Sequence, residues 1–244
     1  TLTNNILGGQ QNDETNAPRG IGVFARNVHG LVGYGNLLHD IAYDGRRTFY
    51  SQGWYISKNT RDVELTQTVG VRIGAAFFHH REGGRVADSI VIKQSMPSWI
   101  VGDGSSIERC LAVYSEDVNW GRDLRQGGGF KVNDEGVGGE GARLIDNQVY
   151  HDRGTNKNMA AYKFEDVDLR SLTLRGNLAG DWSPIADKQG KPITIDGVRE
   201  VTPPDVSGLE SWADELIQRP YGEPFPDVAK VISPAVENSA ITGL

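Results

Sequence analysis

Ile145-Asp146-Asn147-Gln148-Val149 and Leu174-Arg175-Gly176-Asn177-Leu178 share one pattern: apolar, any, polar or Gly, polar, apolar. The same five positions recur at Leu2-Thr3-Asn4-Asn5-Ile6, Gly33-Tyr34-Gly35-Asn36-Leu37, Leu65-Thr66-Gln67-Thr68-Val69, Ile92-Lys93-Gln94-Ser95-Met96 and Ile107-Glu108-Arg109-Cys110-Leu111. A second motif, Gly or an aromatic residue followed by alternating apolar residues, stands between the copies. Its members are Ile21-Gly22-Val23, Trp54-Tyr55-Ile56, Ala76-Phe77-Phe78, Trp99-Ile100-Val101, Phe130-Lys131-Val132 and Tyr162-Lys163-Phe164. The two motifs alternate strictly, giving a repeat of about 29 residues.

Each motif has the alternation of a short strand bounded by polar and glycine turns. One unit of strand, turn, strand and turn cannot bury its apolar side alone, so successive units must stack on a shared core. The predicted fold is therefore all-β: a single-stranded right-handed parallel β-helix of about six coils over residues 1–181. Stacking at about 4.8 Å per rung turns Asn5, Asn36, Thr68, Ser95, Cys110, Gln148 and Asn177 into a column of polar side chains that hydrogen-bond along the stack. Cys110 reads as a small member of that column. No activating base stands beside it, and as the lone cysteine it makes no internal disulfide.

Composition agrees. Glycine supplies 31 of 244 residues without a three-residue period, which excludes collagen and implies many tight turns. The net charge of −7 argues against a general nucleic-acid or anionic-membrane partner. No apolar run reaches the ~18 residues of a membrane helix, so no membrane insertion is expected.

On these coil motifs, residues 1 to 180 resemble the right-handed parallel β-helix proteins of the pectin-lyase-like superfamily. That superfamily includes polysaccharide lyases, glycoside hydrolases, uronate epimerases and phage tailspikes. The resemblance implies an extracellular or periplasmic carbohydrate-active protein and leaves the chemistry open. The chain carries no Gly-His-Gly, Arg-Ile-Lys or Asp-Pro-His-Asp motif, so polygalacturonases and alginate epimerases are not supported.

Both ends depart from the repeat. Residue 1 already lies in a strand, so another chain or a missing segment is expected to cap the first coil. Residues 182–244 form a Pro-rich tail with one helix predicted over 207–218: Ser207 as N-cap, Glu210 completing a capping box, and Leu209, Trp212 and Leu216 on one face.

The unequal connections suggest a site. Short rungs at 67–78 and 94–101 lie between long excursions at 38–53 and 112–129, so two low coils are flanked by two walls. Alternation with Phe78 inward points Phe77 and His79 outward, with His80 and Arg81 at the strand end, and Tyr55, Lys131 and Lys163 continue the outward line. The walls carry Arg46, Arg47 and Tyr50 on one side and Trp120, Arg122 and Arg125 on the other. Arginine forks grip carboxylates, aromatic faces take sugar rings, and a His or Lys can remove a proton α to a uronate carboxylate. The expected partner is thus an acidic polysaccharide, cleaved by β-elimination with His79 or His80 as base, Arg81 as neutraliser and Tyr55 or Lys131 assisting. Two alternatives use other features: a non-catalytic binding or structural β-helix, such as a tailspike or adhesin part, and a glycoside hydrolase using the column Asp103, Asp134 and Asp166. The same carboxylates offer oxygen ligands to Ca²⁺.

Overall fold

The computed structural model describes residues 1–8, 20–43, 51–57, 59–94, 99–116, 128–132, 138–151, 160–220 and 222–232. The molecule is mostly β, and among the described residues its ladders are parallel except for the hairpin of Ala186–Lys188 and Lys191–Pro192. Thirteen described strands join into one bent sheet and eight into a second, and the bend divides the first sheet into two faces. Face A takes Val23–Ala25, Trp54–Ile56, the first halves of Phe78–Ala87 and Trp99–Glu108, Gly128–Val132, Ala160–Phe164 and Ala186–Lys188. Face B takes Leu2–Thr3, Val32–Tyr34, Glu64–Thr66, the second halves of the two ten-residue strands, Arg143–Ile145 and Thr173–Arg175. Face C takes Ile6–Gly8, Leu37–Ile41, Val69–Ile73, Ile90–Gln94, Leu111–Ser115, Gln148–Tyr150, Asn177–Gly180 and Val198–Glu200. The chain visits B, C and A in turn and returns one rung further on, a β-helix-like path. Parallel pairing continues past residue 181, through Ala186–Lys188 and Val198–Glu200.

The register locates the inward line on face B as Leu2, Gly33, Leu65, Val86, Ile107, Leu144 and Leu174. Two copies of the first motif therefore sit elsewhere than the sequence suggested. The fourth is Val86-Ala87-Asp88-Ser89-Ile90, because Ile90–Gln94 is a face C strand, and the sixth begins at Leu144. The polar column is accordingly Asn5, Asn36, Thr68, Ser89, Cys110, Asn147 and Asn177, with Ser89 in place of Ser95 and Asn147 in place of Gln148.

Hydrogen bonds run along this column as an amide ladder. Asn5 Nδ2 donates to Asn36 Oδ1 at 2.9 Å, Thr68 N to Ser89 Oγ at 3.1 Å, Cys110 N to Asn147 Oδ1 at 3.0 Å, and Asn147 Nδ2 to Asn177 Oδ1 at 3.1 Å. The residue before each ladder position turns the chain from B to C with positive φ: Asn4, Gly35, Gln67, Asp88, Arg109, Asp146 and Gly176. Only two of these are glycine, so the stack imposes the left-handed conformation on five residues with side chains.

Inside the stack, Trp54, Phe78, Trp99, Phe130 and Tyr162 are register partners on face A. The Trp99 and Phe130 rings lie 6.0 Å apart and those of Phe130 and Tyr162 5.2 Å apart, each pair within 8° of parallel. Phe77, expected outward, is buried. It precedes the strand, where alternation has no hold, and a Cβ at Gly70 would lie 2.4 Å from its ring. Face C is apolar on both sides: Leu38, Val91, Ala112 and Val149 face the interior, while Leu37, Val69, Val71, Ile90, Ile92, Leu111 and Val113 face outward in a second core.

Helix α1 (Gly208–Ile217) covers that second core with Ala213 and Leu216 buried and Leu209 and Trp212 packed beside them. It runs back along the stack: Glu210 pairs with Lys93 at 2.5 Å, Asp214 with Arg72 at 2.7 Å, and beyond the helix Val228 N donates to Gln67 Oε1 at 2.5 Å. The expected capping box is not formed. Ser207 has helical dihedrals and caps nothing, its N–H donates to Asp205, and the Glu210 carboxylate is drawn to Lys93. The tail thus lies along a side of the stack. At the first rungs Ile6, Phe24, Val32 and Tyr34 remain exposed. Among the described residues no helix is long and apolar enough to cross a membrane.

Candidate functional site

Face A presents one outward column: Phe24, Tyr55, His79, Lys131, Lys163 and Asp187. The alternation that sends Trp54 and Phe78 into the core sends these residues out. At its upper part the rings of Tyr55 and His79 are 5.1 Å apart, Phe24 packs on Tyr55 at 5.5 Å, and Gln52 Nε2 lies 3.3 Å from His79 Nδ1. Arg81, the next outward residue after His79, donates from Nη2 to the Tyr55 hydroxyl at 3.0 Å and holds its guanidinium 5.7 Å from the Tyr55 ring centre. Its Nε is buried without a hydrogen-bond partner, and no carboxylate pairs with it among the described residues. His79, though outward, is only 2% exposed.

His80 does not join them. The strand continues into face B, so alternation continues too and turns His80 inward beside Ile56 and Val101. Ser105 Oγ lies 3.1 Å from its Nδ1, and burial pushes its pKa down to about 4 despite the opposing pull of the Thr60 backbone carbonyl, which favours the protonated ring. Its ring is neutral and lies on the opposite side of the strand from His79.

Lys131 and Lys163 stand further along the column and form a second group. Glu165 bridges them, with Oε2 3.3 Å from Lys131 Nζ and Oε1 3.2 Å from Lys163 Nζ. Asp187 completes it at 2% exposure, and burial raises its pKa against the field of Lys163. Tyr55 and Lys131 are three rungs apart, about 14 Å, so they cannot assist the same proton transfer. Sequence reasoning missed Asp187 because its rung lies beyond the last recognisable motif.

Of the carboxylate column only Asp103 and Asp166 lie among the described residues. Asp103 Oδ1 accepts the Glu140 N–H at 2.8 Å, in the turn where Gly138 leaves it room, Asp166 is exposed at φ 39°, and Asp134 lies outside the described residues. Among the described residues no group of three His, Cys, Asp or Glu side chains is placed to hold an ion, so the expected Ca²⁺ site finds no support there. Arg46, Arg47, Tyr50, Trp120, Arg122 and Arg125 also lie outside the described residues.

A cleft of 620 Å³ opens at the corner between faces A and B, among Arg61, Asp62, Glu64, Glu82 and Arg85, over Gly83-Gly84. Its charges are largely satisfied within the protein: Arg85 pairs with Glu64 at 2.5 Å and Glu108 at 3.0 Å, and Glu82 accepts the Asn59 N–H at 2.6 Å. The glycine pair was its one sequence signal.

No family model matches the chain. No curated protein matches it. Among solved structures, the chain is similar to QnrB1, described as a plasmid-mediated fluoroquinolone resistance protein, with 9% identity over 88% of this chain and 98% of that one at a TM-score of 0.20. A likeness at that level carries no argument about fold or activity; the fold rests on the strand pairing above.

Proposed function

We propose that this is a right-handed β-helix protein of the pectin-lyase-like kind that binds an acidic polysaccharide at Tyr55, His79 and Arg81 and cleaves it by β-elimination. Right-handedness is the rule for parallel crossovers of this type. The observation that carries the reading is Arg81. Arg72, Arg85 and Arg109 are each paired with carboxylates, whereas Arg81 contacts a neutral hydroxyl and keeps charge and donors for an incoming anion.

In this reading the Arg81 guanidinium binds the uronate carboxylate and stabilises charge that builds on it when the α-proton leaves. His79 takes that proton, the carbon–oxygen bond at the β-position breaks, a carbon–carbon double bond forms, and the Tyr55 hydroxyl supplies a proton to the departing oxygen. The protein would act outside the cell or in the periplasm, where such polymers are met.

The test is the ultraviolet absorbance of unsaturated uronate ends on pectate, alginate and glycosaminoglycan substrates. The reading expects turnover on one of them, a loss of about 10²–10⁴-fold in kcat for His79→Ala, and loss of both binding and turnover for Arg81→Ala. Retention of both by Arg81→Ala would sink it. The near-complete burial of His79 favours a second reading, a binding or structural module. That one expects Arg81→Ala to weaken binding in a protein that turns nothing over.

A further inference from the structure

The group around Asp187 has a chemistry of its own. Lys163 and Asp187 are register partners on adjacent rungs of face A. Asp187 lies on the last parallel rung of that face, since Ala186–Lys188 is followed there by the antiparallel strand Lys191–Pro192. Its buried carboxyl receives one hydrogen bond, from Gly190 N at 3.3 Å, and makes no ion pair among the described residues. Lys163 Nζ instead contacts Glu165 Oε1 at 3.2 Å. A nucleophile, an acyl carbon and a proton carrier are thus gathered on two neighbouring strands.

We propose that Lys163 and Asp187 condense into an intramolecular isopeptide bond, with Glu165 carrying the protons. Burial favours the uncharged carboxyl, the form an amine can attack, and Asp187 already leans that way. The Lys163 ammonium gives a proton to Glu165, and the freed Nζ attacks the Asp187 carboxyl carbon. The new carbon–nitrogen bond forms as the carbon–hydroxyl bond breaks, and Glu165 returns a proton to the departing hydroxyl. The products are one amide, one water and one proton released to solvent, with no oxidant or cofactor. Adjacent rungs are about 4.8 Å apart, a gap that the Lys163 side chain spans by rotating away from Glu165. Lys131 is two rungs from Asp187, about 10 Å, and shares only the carrier. The bond would tie down the final parallel rung, where a stack of strands opens most easily. No residue is shared with the Arg81 site, so the two proposals stand or fall separately.

The intact mass of the purified, folded 244-residue chain tests the proposal. The expected mass is one water below that of the sequence, with a branched peptide joining Lys163 to Asp187 after digestion. Lys163→Arg should restore the full mass, Glu165→Gln should prevent or greatly slow the loss, and Lys131→Arg should keep it. A parent chain at full sequence mass overturns the proposal. So does a water loss that survives Lys163→Arg, which would indicate a cyclised Asp-Gly pair such as Asp196-Gly197. The parent's mass and its branched peptide, present or absent, decide the matter together, so a variant that fails to fold leaves the test intact.

Discussion

Asn147 shows how much one side chain does where face B turns into face C. Its Oδ1 accepts the Cys110 N–H, and its Nδ2 donates to Ile107 O at 2.9 Å and to Asn177 Oδ1. All these partners are buried, and a buried polar group left unpaired costs about 1–3 kcal/mol. Asn147→Ala should therefore cost roughly 3 kcal/mol, seen as a lower urea midpoint at unchanged slope. Cys110 extends the ladder only weakly, its Sγ 3.4 Å from Glu108 O in its own coil and 3.9 Å from Val86 O in the neighbouring one, and burial pushes the thiol pKa far up, which leaves it inert. The column was legible in the sequence because a polar residue between two apolar ones has one comfortable place in such a coil. Its register slipped at Asn147 because Leu144-Ile145 and Asn147-Gln148 each offer two equivalent choices. His80 adds a pH dependence. Its folded pKa of about 4 lies below the ordinary 6.5, so its contribution is fully present above 6.5 and lost as pH falls through about 4. The parent should lose up to roughly 3 kcal/mol over that interval, and His80→Gln should show a shallower decline in urea-derived stability.

At the level of elements, α1 depends on apolar cover more than on its charges. Leu216 is buried against face C, whereas Asp214 is exposed and its bond to Arg72 is screened by water. Leu216→Ala should cost about 2–4 kcal/mol and raise the binding of a hydrophobic dye, while Asp214→Ala should cost under about 1 kcal/mol. The helix itself was readable from the spacing of Leu209, Trp212 and Leu216. Its docking place was foreshadowed by Val69-Gly70-Val71, Ile90-Val91-Ile92 and Leu111-Ala112-Val113, unbroken apolar runs that mark strands buried on both faces. Cap geometry was not readable: a capping box is a local contest, and Lys93, a tertiary neighbour, won Glu210. The candidate site divides the same way. Alternation placed Tyr55, His79, Lys131 and Lys163 on one outward line, but the pairing of Glu165 with two lysines depends on neighbouring rungs that no local pattern encodes.

For the whole molecule, each rung touches only its neighbours and the tail, so stability should vary along the stack. The first rungs, where Ile6, Phe24, Val32 and Tyr34 are exposed, should exchange their amide hydrogens fastest. The face C strands Val69–Ile73, Ile90–Gln94 and Leu111–Ser115, flanked on both sides and covered by α1, should exchange slowest. Uniform protection across all rungs would mean that the stack opens as a single unit. The near-parallel rings of Trp99, Phe130 and Tyr162 also give the molecule an optical signature. Chromophores held face to face in a chiral, rigid setting couple their electronic transitions, so the middle of the stack should contribute its own near-ultraviolet circular dichroism. Trp212 sits apart on the outer helix and is only partly shielded, so quenching of its emission would follow the loosening of the tail. Light alone could then separate the moment the cover lifts from the moment the core gives way.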